Sequence, residues 1–228
     1  MTMNRREFLG TVGALALMAG TGHATTTKKP NILFILADDM GQHQLNCYGN
    51  SFYETPNIDR IAAKGMKFTN GYAAATVCSP TRASVMTGKY PARLHLTDYI
   101  PGNPYPYAKL KTPDWQKGLS VDEEMIPELL AKAGYVSGHF GKWHLNKDKN
   151  YQLDRPGDPK SQGFSDVLTI HKPKKMQAVA AGADSDYDAH RVREITDRAI
   201  DFMKKNQEQP FFCYVAHSSI HLPLMEYT

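Results

Sequence analysis

Residues 32–37, Ile-Leu-Phe-Ile-Leu-Ala, are apolar without interruption and end against Asp38-Asp39. A continuous run of that length, rather than an alternating one, predicts a strand buried on both faces of a parallel sheet. A second such run, residues 211–216, follows Pro210 and ends at His217. Residues 135–140 predict a third strand, leading into Gly141-Lys142-Trp143-His144. Between the strands the period changes. Thr55 and Pro56 form a helix start, Ile58, Ile61 and Ala62 share one face, and Gly65 marks the stop. Met66 to Phe68 predicts a short strand running into Asn70-Gly71. Ser79-Pro80 opens a short helix through Met86, with Gly88 beyond it.

Residues 121–134 carry the stripe Ile126, Leu129, Leu130 and Ala133, with Pro127 drawing the helix start toward itself. Residues 187–206 predict the clearest helix, with Val192, Ile195, Ala199, Phe202 and Met203 on one side. Residues 91–115 are rich in Pro, Tyr and Gly and read as a long irregular loop, and residues 146–161 as a polar one. Strand, helix, strand, helix, strand is the order of an α/β fold, a largely parallel central sheet flanked by helices. Asp38-Asp39, Lys142 with His144, and His217 with His221 each follow an apolar strand. Ligands of open α/β sheets bind beyond the carboxyl ends of the strands, so these clusters predict one site assembled from distant sequence.

The first residues stand apart from this pattern. Arg5-Arg6 precede the apolar stretch 8–19, and Gly22-His23-Ala24 resembles a small-residue cleavage site. Residues 1–24 are expected to be an export signal, with Arg-Arg-x-Phe-Leu resembling a twin-arginine leader; a general secretory signal with a chance Arg pair is the alternative. The protein is expected in a periplasm or outside the cell, a bacterial one by leader type, and nothing after residue 24 approaches a membrane span. The net charge of +4 over 228 residues, with no block of five like charges, gives no basic stripe for nucleic acid. Cys47, Cys78 and Cys213 make no zinc spacing, and an odd count leaves one unpaired in any disulfide scheme. No feature of the sequence indicates an oligomeric state.

The sharpest motif is Cys78-Ser79-Pro80-Thr81-Arg82, continuing to Thr87-Gly88. For this composition about 0.007 occurrences of Cys-x-Pro-x-Arg are expected by chance. Pro80 suits the first turn of a helix, and Cys78 and Arg82, four apart, project to one side of its start. Free backbone N–H groups there attract an oxyanion. A buried structural cysteine beside a surface arginine is the plainer alternative. The motif resembles the signature of the type I, formylglycine-dependent sulfatases of the alkaline-phosphatase-like superfamily, and the resemblance runs from residue 30 to about 223.

That resemblance implies a sulfatase-like α/β fold over residues 25–228 and a Cys78 oxidised to formylglycine by a separate maturation enzyme. In its hydrate one hydroxyl attacks sulfur and the other expels sulfate as the carbonyl re-forms. Asp38 and Asp39, with position 78, resemble the family's ligands to one Ca²⁺ per site; alone they read more readily as a turn-capping carboxylate pair. Lys142 would bind the sulfate, and His144 would contact the formylglycine hydrate. Without the family context a basic turn beside a packed Trp143 is an equally good reading of these two. His221, in His221-Leu222-Pro223, would protonate the leaving alcohol, and Arg82 would hold the hydrate. His217 and His171 are weaker candidates for structural or pocket-lining roles.

The expected substrate is a sulfated small molecule or glycan, with residues 99–115 as a sugar-facing wall by fold analogy. The alternatives are a phosphonate monoester or phosphodiester hydrolase of the same superfamily, or a non-catalytic binder of sulfated glycans. The family's second metal-ligand pair and a further sulfate-binding Lys are expected beyond Thr228, so the sequence reads as the N-terminal portion of a longer catalytic domain. This portion alone is expected to bind calcium poorly.

Overall fold

Strand β4, Phe211–His217, is buried from its first residue to Ala216 and is the strand around which the others assemble. It pairs in parallel with β1, Ile32–Ala37, from Ile32↔Phe212 to Ala37↔His217. On its other side it pairs in parallel with β2, Val136–Gly141, from Val136↔Phe211 to Gly141↔Ala216. A short β3, Asp166–Thr169, adds to β2 in parallel, giving the order β1-β4-β2-β3 among the described residues. The computed structural model describes residues 28–103, 105–148, 151–170 and 190–222. The expected leader 1–24, His171 and Pro223 lie outside the described residues.

Alternation along β4 divides the core. Phe212, Tyr214 and Ala216 face a cluster containing Ala83, Met86, Met125, Trp143, Leu145 and Phe164. Phe211, Cys213 and Val215 face Phe140, Ile170, Ile195, Ala199 and Phe202. The second cluster is closed by helix α4, Val192–Lys205, whose Ile195, Ala199 and Phe202 form the buried stripe that its period predicted. The first is closed by α2, Cys78–Thr87, through Ala83 and Met86. Helix α3 covers Ile126–Lys132 and starts next to Pro127, where the missing proline N–H costs nothing. The side chain of Glu128 accepts the Met125 N–H at 2.8 Å and holds that start.

Three expectations need correction. The strand expected at Met66 to Phe68 does not form, and both side chains are exposed. Helix α1, Pro56–Lys64, forms where expected, but its apolar face is not buried: Ile61 is 66% exposed. It is tied to the 3-10 turn Asn46–Tyr48, with Asp59 accepting the Cys47 N–H at 2.8 Å, rather than packed on the sheet. β1 is covered on one face only. Ile32, Phe34 and Leu36 pack on the core, while Leu33 and Ile35 are 49% and 57% exposed, because β1 is the outer strand and no described element crosses its other face. Among the described residues no helix is long and apolar enough to cross a membrane.

Since all four strands are parallel, their carboxyl ends share one edge. That edge places Asp38 after β1, Lys142 after β2 and Ser218 after β4 side by side. Asp38 is drawn in by its own backbone, whose N–H donates to the His217 carbonyl at 3.0 Å.

Candidate active site

Helix α2 begins at this edge. Val77 is extended and serves as its N-cap without a side-chain hydrogen bond, so Cys78 is the first helical residue rather than the one before the helix. Its thiol is half-buried and opens on a cavity of about 400 Å³ shared with Lys142, His144, His221 and Pro101. The backbone N–H groups of the first turn have no intrahelical partner, so they supply a positive end to that cavity.

Arg82, one turn further on, is buried to 1% exposure. Its guanidinium donates to the Lys142 carbonyl at 3.0 Å and to the Tyr214 hydroxyl at 3.2 Å. It also pairs with Asp38 at 3.3 Å. Asp38 is simultaneously in close contact with the Lys142 ammonium. Burial by itself would raise the Asp38 pKa, but Arg82 and Lys142 outweigh it and hold the carboxyl below its usual range. Two cations against one anion leave this buried triad with a positive excess, and removal of Asp38 would strand both cations at a cost of about 3–5 kcal/mol.

His144 sits in the left-handed region, φ 61°, which turns its ring back toward the cavity. Its N–H donates to the Tyr151 hydroxyl at 3.0 Å, and its Nε2 lies 2.5 Å from the Ile100 carbonyl oxygen. Burial first, then the neighbouring Lys142 charge, lowers its pKa to about 4, so the ring is neutral near pH 7. His221 contacts Asp39 at 3.6 Å through Nε2, and its Nδ1 lies 2.7 Å from the Leu222 carbonyl. The structure therefore gathers Cys78, Arg82, Lys142, His144, His221 and Asp38 into one site. Asp39 stands at its exposed rim, and His217 ends β4 half-buried with its carbonyl bound by Asp38.

The donor set bears on a metal. One ligand atom each from Asp38, Cys78 and His221 lies within 4.8 Å of the others. Ligands at the 2.3–2.6 Å typical of calcium stand up to about 5 Å apart across the ion, so Asp38 and an oxygen at position 78 fit a shared hard cation, with Asp39 adjacent. Six to eight oxygens are needed, and these residues supply only part of such a set. The imidazole of His221 suits proton transfer better than a hard cation.

Several contributors escaped the sequence reading. Tyr214 lies in what reads as a purely apolar strand, yet its hydroxyl braces Arg82; its place on the same β4 face as Phe212, toward α2, was the available signal. Tyr151 lies in a polar loop, with burial pushing its phenol up to about 12. Ser79 fixes the far wall by accepting the Ile100 N–H at 3.0 Å.

A parallel sheet with a helix N-terminus, buried cations and two histidines gathered at its carboxyl edge is an α/β fold with a site suited to an anion at the strand ends. Comparison with known proteins gives the family. The Sulfatase family model matches residues 30–228, and the chain belongs to that family. It is 32% identical to an arylsulfatase of Hemicentrotus pulcherrimus, over 91% of this chain and 40% of the relative. It is likewise 32% identical to the human (Homo sapiens) N-acetylgalactosamine-6-sulfatase, over 90% of this chain and 42% of the relative. Among solved structures, Ps i-CgsB in complex with k-i-k-neocarrahexaose superposes with a TM-score of 0.67 at 26% identity, covering 86% of this chain and 46% of that one. The chain thus spans about two fifths of the length of the relatives it matches.

Proposed function

We propose that the complete protein hydrolyses sulfate esters of a carbohydrate, with residue 78, oxidised to formylglycine by a separate enzyme, as its nucleophile. The observation that carries the reading is the seat of Cys78: first turn of α2, open to a cavity whose other walls hold Lys142, His144 and His221. An aldehyde hydrate there would supply one hydroxyl to attack sulfur and a second to release sulfate, and a Ca²⁺ held by Asp38 and Asp39 would add positive charge beside it.

The chain's own residues supply the rest. Lys142 and the N–H groups opening α2 bind the sulfate oxygens and offset the charge that builds on them. Arg82, braced by Tyr214 and the Lys142 carbonyl, fixes the side chain at position 78. His144, neutral and tethered through its backbone to Tyr151, accepts a proton from the hydroxyl at position 78. His221, across the cavity, gives a proton to the departing alcohol oxygen. The carbohydrate part of the proposal rests on relatives, one named for N-acetylgalactosamine-6-sulfate chemistry and one solved with a neocarrahexaose. Residues 1–24 act as the export leader, which delivers residues 25–228 as the N-terminal part of the catalytic domain to the periplasm or beyond.

The test is a substrate panel for the complete, matured protein: aryl and sugar sulfates beside the matching phosphate monoesters, phosphodiesters and phosphonates. Sulfate esters are expected to be turned over with the highest kcat/KM. A preference for the phosphorus esters would move the chain to the phosphonate monoester and phosphodiester hydrolases, and binding without turnover of any ester would make it a glycan binder.

A further inference from the structure

A second cavity, of about 740 Å³, adjoins the first along the chain. Its lining includes Tyr105, Lys109, Lys111, Asp114, Trp115 and Lys117, three ammonium groups against one carboxylate. Among the described residues none of these lysines pairs with a carboxylate. Lys117 lies over the Trp115 ring, 3.3 Å from its centroid. Lys109 and Lys111 are exposed. These charges therefore face solvent and any anion that enters.

The segment is anchored at both ends. Ile100 is held by Ser79 at 3.0 Å and by the ring of His144. Next to Trp115, the Gln116 N–H donates to the His95 carbonyl at 2.6 Å, and Leu119 is bonded to the Leu145 carbonyl at 2.8 Å. Ile100 and Pro101 wall the cavity that holds Cys78, while Asn103 already lines the second one. Between them Gly102 presses on Trp115: a methyl group there would stand 2.6 Å from the ring's Cζ2. Two residues of extended chain span about 7 Å at most. The two cavities are thus neighbours across a fixed partition.

We propose that this second cavity receives another anionic sugar of the same glycan, next to the one whose sulfate faces Cys78. The inference rests on the carbohydrate sulfatase reading above and extends it: the substrate is an oligosaccharide or polysaccharide with closely spaced negative groups, held by Lys109, Lys111 and Lys117, with Tyr105 offering a ring to the apolar face of a sugar. None of these side chains touches the residues assigned to chemistry. They set which substrates bind, not how fast the ester breaks.

The test uses the complete, matured protein and the variant K109A/K111A/K117A, checked first for an unchanged thermal midpoint. Chondroitin 6-sulfate, heparin and κ-carrageenan hexasaccharides are titrated by calorimetry at low salt, with an uncharged agaro-hexaose as control. Exposed ion pairs are worth about two- to fivefold each in affinity. The best-bound sulfated hexasaccharide is expected to lose about tenfold in the variant, and the loss to shrink in 0.5 M salt. With 4-nitrophenyl sulfate, which is too small to reach the second cavity, kcat and KM are expected to stay within twofold. Equal hexasaccharide affinity in wild type and variant, equal binding of the uncharged control, or an equal loss on 4-nitrophenyl sulfate would each overturn the proposal. Because binding is read without turnover, a protein that bound the hexasaccharide through these lysines but hydrolysed no ester would refute the sulfatase reading alone.

Discussion

Gly141 closes β2 at φ 114°, immediately before Lys142, and is the position where one methyl group should do the most damage. A Cβ built there would lie 2.1 Å from the Ala216 carbonyl oxygen and 2.8 Å from its carbon. Both are backbone atoms of the central strand, so no side chain can swing away. That oxygen also accepts the Lys142 N–H at 2.9 Å. The strands must therefore part by more than an ångström just where Lys142 enters the site. A non-glycine residue held at such a φ costs about 1–3 kcal/mol. The broken hydrogen bond, with both groups left buried, costs about 1–3 kcal/mol more. Together the loss is about 4 kcal/mol, against the 5–15 kcal/mol of a typical domain. Urea unfolding of the complete protein measures it, and Gly141→Ala should lower the midpoint by more than about 1 M. Gly88→Ala is the control: φ is also positive, but a methyl group would meet nothing within 4 Å, so only the backbone cost of about 1–2 kcal/mol remains. If Gly141→Ala is no worse than Gly88→Ala, the β2–β4 junction does not have the tightness on which the Lys142 geometry rests.

Three further outcomes are expected. Cys78→Ser lacks a second hydroxyl after maturation and should release at most one alcohol per protein molecule in a stopped-flow burst; sustained turnover would count against the aldehyde hydrate. His221→Ala should lose about 10²–10⁴-fold in kcat on sugar or alkyl sulfates, whose leaving alcohols need a proton, and much less on 4-nitrophenyl sulfate; an equal loss on both would remove His221 from the acid role. His139 is fully buried between Trp143, Phe164 and Tyr214, and burial lowers its pKa to about 3. Folded His139 thus stays neutral while the unfolded chain takes up a proton below about 6.5, so its neutral burial favours folding above that pH and loses ground as pH falls from about 6.5 toward 3. His139→Leu should therefore flatten the fall of urea-measured stability between pH 6.5 and 4; an unchanged slope would mean that His139 is charged or solvated in the native state.

The sheet was legible because its strands are what fully buried strands require. Phe211 to Ala216 offers an apolar residue to both core clusters at every step, and no alternating pattern could do so. The same inference overreached at β1. An uninterrupted apolar run says that both faces seek cover, not that both find it, and Leu33 and Ile35 remain open. Helix α1 repeats the lesson, its stripe at Ile58 and Ile61 being correctly periodic but unpaired among the described residues. β3 was missed because Asp166-Val167-Leu168-Thr169 is too short and too polar to stand out.

At the site, the side chains that carry charge or a transferable proton were readable from their motifs. The groups that orient them were not. Tyr214 looks like one more apolar residue of a strand, and Tyr151 and the Ile100 carbonyl belong to loops whose path no local pattern encodes. The pairing of one carboxylate, Asp38, with both Arg82 and Lys142 joins residues 44 and 104 positions away, and only the parallel register of β1, β4 and β2 brings them together.

The most direct measurement is mass spectrometry of the peptide that contains residue 78, isolated from active, complete protein made alongside its maturation enzyme, with turnover of a sulfate ester recorded on the same sample. The expected result is an aldehyde at position 78, trapped by a hydrazide reagent, in a fraction that rises in step with specific activity. A fully active sample whose residue 78 is wholly an unmodified thiol would contradict the central claim.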